Sequence, residues 1–369
     1  MWTYKQPTQI RFGVGARKTL DELAARFGSR PMLITDSALR DTAMVKDALA
    51  SLGPNARLFS EVEPNPTVTS VDRAADEITK NRCDVVVAIG GGSSLDCAKA
   101  AAAVAAQGGS AREYHSGGRQ LSDNRLPMIA MPTTAGTGSE VTPIAVLDDP
   151  ESGVKAPLVH DSLFPSVALV DPELTVTMPR YVTACTGLDA LAHAVEGYWS
   201  KNHQPICDLM ALEAVRLIVK HLPVVLEDGA NLDARTGMSQ GALLGGLAFQ
   251  LPKNAAVHAC SYPLCIIYHL PHGAGCALTL DHFMKFNAEV MGERGKALAR
   301  AAGVNDMIAL SGIVAGLKRQ AGLPTTLSEI GVTAESLDEL VQSSFVPMMK
   351  NNPRDVTASE LRSLYEEML

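Results

Sequence analysis

Short apolar runs alternate with helix-period stretches through the first half of the chain. Residues 31–35, 56–60, 84–89, 128–131 and 167–170 are the runs. Residues 84–89 are β-branched and apolar almost throughout, which marks a strand buried on both faces. Residues 3–14 alternate well enough to suggest a further strand entering the fold. After the Pro64-Asn65-Pro66 loop, Thr67 reads as the cap of a helix reaching about Asn81, and an Ala-rich helix ends near Ala106. Strands alternating with helices argue for a parallel sheet covered on both faces. The pattern changes near Met178-Pro179. Beyond Arg180 the β-branched runs become scarce, helical periodicity continues to Leu369, and prolines such as Pro223, Pro252, Pro263, Pro271 and Pro324 punctuate it. The expected organisation is a Rossmann-like α/β domain over residues 1–180 and an all-α domain over residues 181–369.

Composition narrows the class without naming a function. The chain has 369 residues, enough for two sizeable cores, with 46% hydrophobic and 20% charged residues. A formal net charge of −8 offers no footprint for nucleic acid or an anionic membrane surface. The 7 cysteines are scattered, with no CxxC pair, and read as small buried residues of a reducing compartment. No run approaches the ~18 apolar residues of a membrane span, and the first residues lack the apolar core of a signal peptide. A cytoplasmic protein is expected.

Two turns carry candidate binding chemistry. Ile89-Gly90-Gly91-Gly92-Ser93-Ser94-Leu95-Asp96 follows a buried strand and opens a helix. Glycines let the backbone approach a ligand, and free amides at a helix start favour an anion such as pyrophosphate. Tight strand-to-helix packing is the other use of such a turn. The Thr/Gly-rich turn at residues 133–139 follows a later strand and offers hydroxyls to the same ligand, at the strand ends where open α/β sheets bind. Asp36 ends the run 31–35. It is placed to accept from a ribose hydroxyl and to repel a 2′-phosphate, which favours NAD over NADP; a turn carboxylate is its other reading.

The second half holds a different cluster. His258, His269 and His272 crowd into a stretch that otherwise reads as apolar core. Upstream, Asp189 and His193 stand four residues apart in a helix-favouring segment and share one face. Buried imidazoles either hydrogen-bond to the backbone or bind something. Asp189, His193, His258 and His272 together can supply the ligands of a divalent ion, a donor set that suits iron(II) or zinc.

The chain resembles the iron-containing (group III) alcohol dehydrogenases over essentially its whole length. The likeness rests on Gly90-Gly91-Gly92-Ser93 with Asp96, on Pro132-Thr133-Thr134-Ala135-Gly136-Thr137-Gly138-Ser139-Glu140, on Asp189 with His193, and on His258 with His272. It implies a nucleotide-binding domain, a helical domain, and a cleft holding NAD(P) beside the metal. It also implies that Asp189, His193, His258 and His272 bind Fe(2+), with Zn(2+) as the other candidate. The cofactor residues it implies are Gly91, Gly92, Ser93, Asp96, Asn65, Thr133, Thr134, Thr137 and Lys155, with Asp36 disfavouring NADP. A homodimer or larger homo-oligomer is the expected assembly. One position departs: many relatives carry a histidine four residues after the third ligand, where this chain has Tyr262. Tyr262 and His269 are therefore the candidate proton-transfer residues.

The resemblance leaves the substrate open within small primary alcohols and aldehydes. Phe249, Lys253 and Asn254 precede His258, and Lys253 and Asn254 suit a carboxylate, phosphonate or sulfonate tail; a solvated loop lysine is the other reading of Lys253. Ser261-Tyr262-Pro263-Leu264 and Ala277-Leu278-Thr279-Leu280 resemble the branch that includes phosphonoacetaldehyde reductases. Two alternatives share the architecture: maleylacetate reductase-type enzymes, which usually work without metal, and dehydroquinate synthase-like lyases, which release a non-redox product. A non-catalytic cofactor-binding relative is a third, and four intact ligands argue against it.

Overall fold

The structure is a computed structural model describing residues 1–369. The chain divides into two compact units, the first formed by Lys5–Thr134 and Ser139–Thr175. Its elements run β1 (Gln9–Phe12), α1 (Leu20–Ala25), β2 (Pro31–Asp36), α2 (Ala43–Leu52), β3 (Arg57–Val62) and α3 (Val68–Lys80). Then come β4 (Val85–Gly90), α4 (Gly92–Gln107), α5 (Ala111–His115), β5 (Met128–Pro132), β6 (Ile144–Asp149), β7 (Val154–Val159) and β8 (Val167–Val170). Six strands form one sheet in the order β1-β8-β5-β4-β2-β3, parallel throughout.

Period-two alternation explains why both faces are covered. Met32, Ile34, Val86, Ala88, Met128 and Ala130 point into the core beneath α3 and α4. Leu33, Val87, Ile89, Ile129, Met131, Val167 and Leu169 point into the opposite core, against α1 and α2. The runs that read as buried strands are these central strands. The suggested strand over residues 3–14 shrinks to the edge strand β1, because only Gln9–Phe12 find partners on β8. An element without a sequence signal is the antiparallel hairpin β6–β7. It is anchored by polar atoms: Lys99 Nζ on α4 donates to Ile144 O at 2.8 Å, and Asp96 accepts the Val146 N–H at 2.8 Å.

The second unit takes in Met1–Tyr4, Ala135–Gly138 and Val176–Leu369. Its helices are α6 (Arg180–Trp199), α7 (Pro205–Glu227), α8 (Leu232–Phe249) and α9 (Ala256–Ile267). They continue as α10 (His272–Ala301), α11 (Met307–Ala321), α12 (Leu337–Ser344) and α13 (Ala358–Glu366). Helix α6 is buried almost all round from Thr183 to Trp199, so it forms the axis on which α7, α8 and α10 pack. The segment Ala135–Gly138 joins this unit through Gly138. That residue has φ +61°, and an added Cβ would lie 2.4 Å from Gly246 Cα on α8. Helix α9 runs through Pro263 to Ile267, so the proline does not end it. No helix is long and apolar enough to cross a membrane.

Candidate functional site

The carboxylate of Asp189 is the hub of the helical unit. Asp189, His193 and Glu196 lie on one stripe of α6, at spacings of four and three residues. The Asp189 Oδ1 atom lies 3.7 Å from His258 Nε2, on α9, and 3.6 Å from His272 Nε2, at the first turn of α10. Its Oδ2 atom lies 3.9 Å from His193 Nδ1, and the His193 and His258 rings are 4.5 Å apart. Asp189, His193 and His258 are 3%, 5% and 2% exposed. Yet Asp189 Oδ1, His193 Nδ1 and His258 Nε2 have no hydrogen-bond partner.

Orphaned buried polar atoms are costly unless something satisfies them. Three of them converging from two helices, with a third imidazole beside them, fit a divalent cation that accepts O and N donors. Burial opposes ionisation of Asp189, but the His193, His258 and His272 imidazoles hold its carboxyl below the usual carboxylate range. Burial pushes His193 down to about 3, so its imidazole is neutral and free to donate a lone pair.

Sequence reasoning missed two residues here. Glu196, fully buried, accepts from His258 Nδ1 at 2.5 Å through one oxygen and from the Val257 N–H at 2.7 Å through the other. Its signal was present: it continues the Asp189–His193 stripe by one more turn. Cys276 follows His272 by four residues on α10, and its Sγ lies 3.8 Å from His272 Nε2. Asp189, His258, His272 and Cys276 each offer an atom within 4.8 Å of all the others. Burial works against the Cys276 thiolate, while the neighbouring His258 and His272 bring the thiol below its ordinary pKa.

Packing sets these distances. At Gly273 an added Cβ would meet Cys185 O at 2.0 Å and Asp189 Cβ at 3.2 Å, so α10 can approach α6 only over a glycine. Gly273→Ala is expected to cost at least about 2 kcal/mol by overpacking and to draw His272 away from Asp189. A lower denaturation midpoint together with weakened metal binding checks this; an unchanged midpoint refutes it.

The remaining candidates scatter. Phe249 stacks on His193, with ring centroids 4.2 Å apart, and so braces that imidazole. Tyr262 sits beside His272, rings 6.4 Å apart, rather than over His258 as its spacing suggests. His269 is exposed on the turn between α9 and α10 with φ +53°, and makes no contact with the cluster. Lys253 is exposed at φ +66° and forms no ion pair. Its loop is pinned by the Asn351 amide, which donates to Pro252 O at 2.7 Å and to Asn254 O at 3.0 Å. The Asn254 side-chain Oδ1 is buried without a partner.

In the α/β unit the glycine turn lies where the sheet order reverses, between β4 and β2. Gly91 caps α4 with no side-chain hydrogen bond, leaving the first amides of the helix free. An added Cβ on Gly91 would meet Thr134 Cγ2 at 3.3 Å, and the Thr133 N–H donates to Gly90 O, so the second turn packs beside the first. Lys155 donates to the Asn65 side chain at 2.8 Å, and the Asn65 N–H donates to Ser93 Oγ at 3.3 Å. Asp36, at the end of β2, lies 3.4 Å from Ser94 Oγ and accepts from the Leu39 N–H. Asp96 is otherwise engaged, accepting from Ser139 Oγ at 2.5 Å as well as from Val146. Thr137 belongs to the segment Ala135–Gly138 of the helical unit.

Residues 7–172 match the family described as iron-containing alcohol dehydrogenase. Residues 183–369 match the C-terminal part of the same family. The chain belongs to the iron-containing alcohol dehydrogenase family. Among this family member's curated relatives is the NAD-dependent methanol dehydrogenase of Bacillus methanolicus, 33% identical, with 98% of each chain covered. Another is the choline dehydrogenase of Bacillus subtilis, 36% identical over 99% of this chain and 94% of the relative. Among solved structures, sulfoacetaldehyde reductase from Bifidobacterium kashiwanohense in complex with NAD+ superposes with a TM-score of 0.96. It is 41% identical, covering 100% of this chain and 98% of that one.

Proposed function

We propose that this alcohol dehydrogenase family member is an NAD-linked, iron(II)-dependent reductase of short aldehydes that carry an anionic tail. The convergence of unpartnered Asp189 Oδ1, His193 Nδ1 and His258 Nε2 atoms, all buried, is the observation that carries it. In this reading Asp189, His193, His258 and His272 hold the ion. When bound, the ion supplies Lewis acidity toward the substrate oxygen, and the dinucleotide supplies hydride. Glu196 keeps the proton of His258 on Nδ1, and Phe249 holds the His193 ring in place. The Tyr262 hydroxyl, rather than exposed His269, is the donor of the substrate's proton.

For the dinucleotide, Gly91, Gly92 and Ser93 hold the pyrophosphate at the start of α4, with Asn65, Lys155, Thr133 and Thr134 around it. Asp36 places a carboxylate where a 2′-phosphate would be repelled, which supports NAD. Asp96 supports the turn from beneath, since its oxygens are taken by Ser139 and Val146. The anionic tail falls to Lys253, a cation without a carboxylate partner, and to Asn254, whose amide turned over presents N–H donors. Likeness to a sulfoacetaldehyde reductase supports the same substrate class.

The test is an anaerobically iron-loaded enzyme offered matched neutral and anionic two- to four-carbon aldehydes with NADH or NADPH. Faster NADH oxidation with the anionic members is expected. Equal turnover without metal would point instead to maleylacetate reductase-type chemistry, and no nicotinamide oxidation with any aldehyde would end the redox reading. Replacing Lys253 by Ala is expected to raise KM for the anionic aldehyde by about 10- to 100-fold, the worth of a charge-assisted hydrogen bond. KM for the neutral aldehyde should stay put; a parallel change in both would remove Lys253 from the pocket.

A further inference from the structure

We propose that Cys276 is a fifth protein donor of the metal centre, recruited by soft divalent ions, so that one cluster carries two overlapping ligand sets. The inference rests on the metal reading of Asp189, His193, His258 and His272 and adds a choice within it. A tetrahedral ion with bonds of about 2.0–2.1 Å to N or O and about 2.3 Å to S separates its donors by roughly 3.4–3.6 Å. Here Asp189 Oδ1 is 3.6 Å from His272 Nε2 and 3.7 Å from His258 Nε2, and Cys276 Sγ is 3.8 Å from His272 Nε2. All four atoms lie within 4.8 Å of one another, so small side-chain movements close the shell.

The sulfur does not stand alone. Unpartnered Asp189 Oδ1 and His258 Nε2, on side chains only 4% and 2% exposed, belong to the same four-atom group. His272 and Cys276, four residues apart on α10, present their donors from one face. Cys265 is no substitute. Its Sγ lies 4.0 Å from the other ring nitrogen of His272, Nδ1, on the far side of the imidazole.

The two sets differ in chemistry. With His193 the shell is one oxygen and three nitrogens, and sulfur stays out. With Cys276 it is one oxygen, two nitrogens and one sulfur, a closed four-donor shell that suits thiophilic ions such as cadmium, zinc and its surrogate cobalt(II) better than it suits iron(II). Binding through sulfur exchanges the S–H bond for a metal–sulfur bond, and the proton leaves to solvent. A soft ion held in this way is tightly bound with no position left for a substrate oxygen.

Cobalt(II) substitution separates the two layers. Visible ligand-field bands report an ion at the cluster; a near-ultraviolet sulfur-to-cobalt charge-transfer band reports Cys276. Wild type should show both, Cys276→Ser only the ligand-field bands, and Cys265→Ser both again. A wild type without the charge-transfer band, or a Cys276→Ser protein that keeps it, overturns the proposal while leaving the metal site standing. Absence of any ligand-field bands in wild type sinks the metal reading itself. Zinc X-ray absorption on the wild-type protein decides the question without a variant. One sulfur scatterer at about 2.3 Å is expected, and a shell of nitrogen and oxygen alone refutes it.

Discussion

An Asp189→Asn protein, loaded anaerobically and dialysed, is expected to retain less than a tenth of the wild-type metal and to lose activity by at least ~10³-fold. The size follows from where the carboxylate sits. Its two oxygens are within 4 Å of ring nitrogens of all three of His193, His258 and His272, whereas the other buried acid there, Glu196, reaches only the Nδ1 side of His258. Asparagine keeps the volume, so the packing of α6 against α9 and α10 is spared. What goes is the negative charge that faces the ion directly, on a side chain only 4% exposed, where electrostatic terms are large. Each substitution, His258→Ala or His272→Ala, should also abolish metal retention, but at the additional cost of a cavity. Metal stoichiometry by elemental analysis is the primary readout, with turnover second. A fully loaded Asp189→Asn enzyme would show that the cation sits elsewhere.

That Asp189 and His193 could be found in the sequence at all has a simple cause. Both lie on a helix long enough for its period to be read, and four-residue spacing fixes a shared face whatever the tertiary context. His258 and His272 stood out because two polar residues interrupt an apolar stretch. Glu196 lay on the same stripe as the first pair, yet a lone glutamate in an Ala/Val segment reads as a surface residue until α9 is seen to cover it. Cys276 was passed over for the opposite reason: a buried cysteine needs no explanation until two imidazoles surround it. The central strands β2, β4, β5 and β8 were legible because burial on both faces leaves a continuous apolar run. The hairpin β6–β7 was not, since its alternating burial is not matched by alternating residue types and its anchors are the polar groups of Lys99 and Asp96. No composition shift could have shown that Ala135–Gly138 packs with helices; that depends on glycine meeting glycine at Gly138 and Gly246.

Replacing Glu196 by Gln is expected to weaken metal binding by about 10- to 100-fold while the protein remains folded. As a carboxylate, Glu196 accepts from both His258 Nδ1 and the Val257 N–H, so it ties α6 to the first turn of α9. It also fixes a tautomer. With the proton held on Nδ1, the Nε2 lone pair is left for an ion, and His258 Nε2 is one of the unpartnered buried atoms. Glutamine has one accepting oxygen for two donors. If its oxygen takes the His258 proton, its NH2 group is turned against the Val257 N–H, donor to donor. If its oxygen takes Val257, its NH2 donates to Nδ1 and drives the imidazole proton onto Nε2, where it blocks the ion. Either outcome costs affinity, and the second costs the donor outright. A merely structural Glu196 would behave differently: Gln would lower the melting temperature of the metal-free protein and leave the dissociation constant for cobalt(II) unchanged. Metal titration of the two proteins, beside their metal-free melting curves, separates these cases. Glu196→Asp, which keeps the charge but shortens the reach to His258, should fall between wild type and Gln.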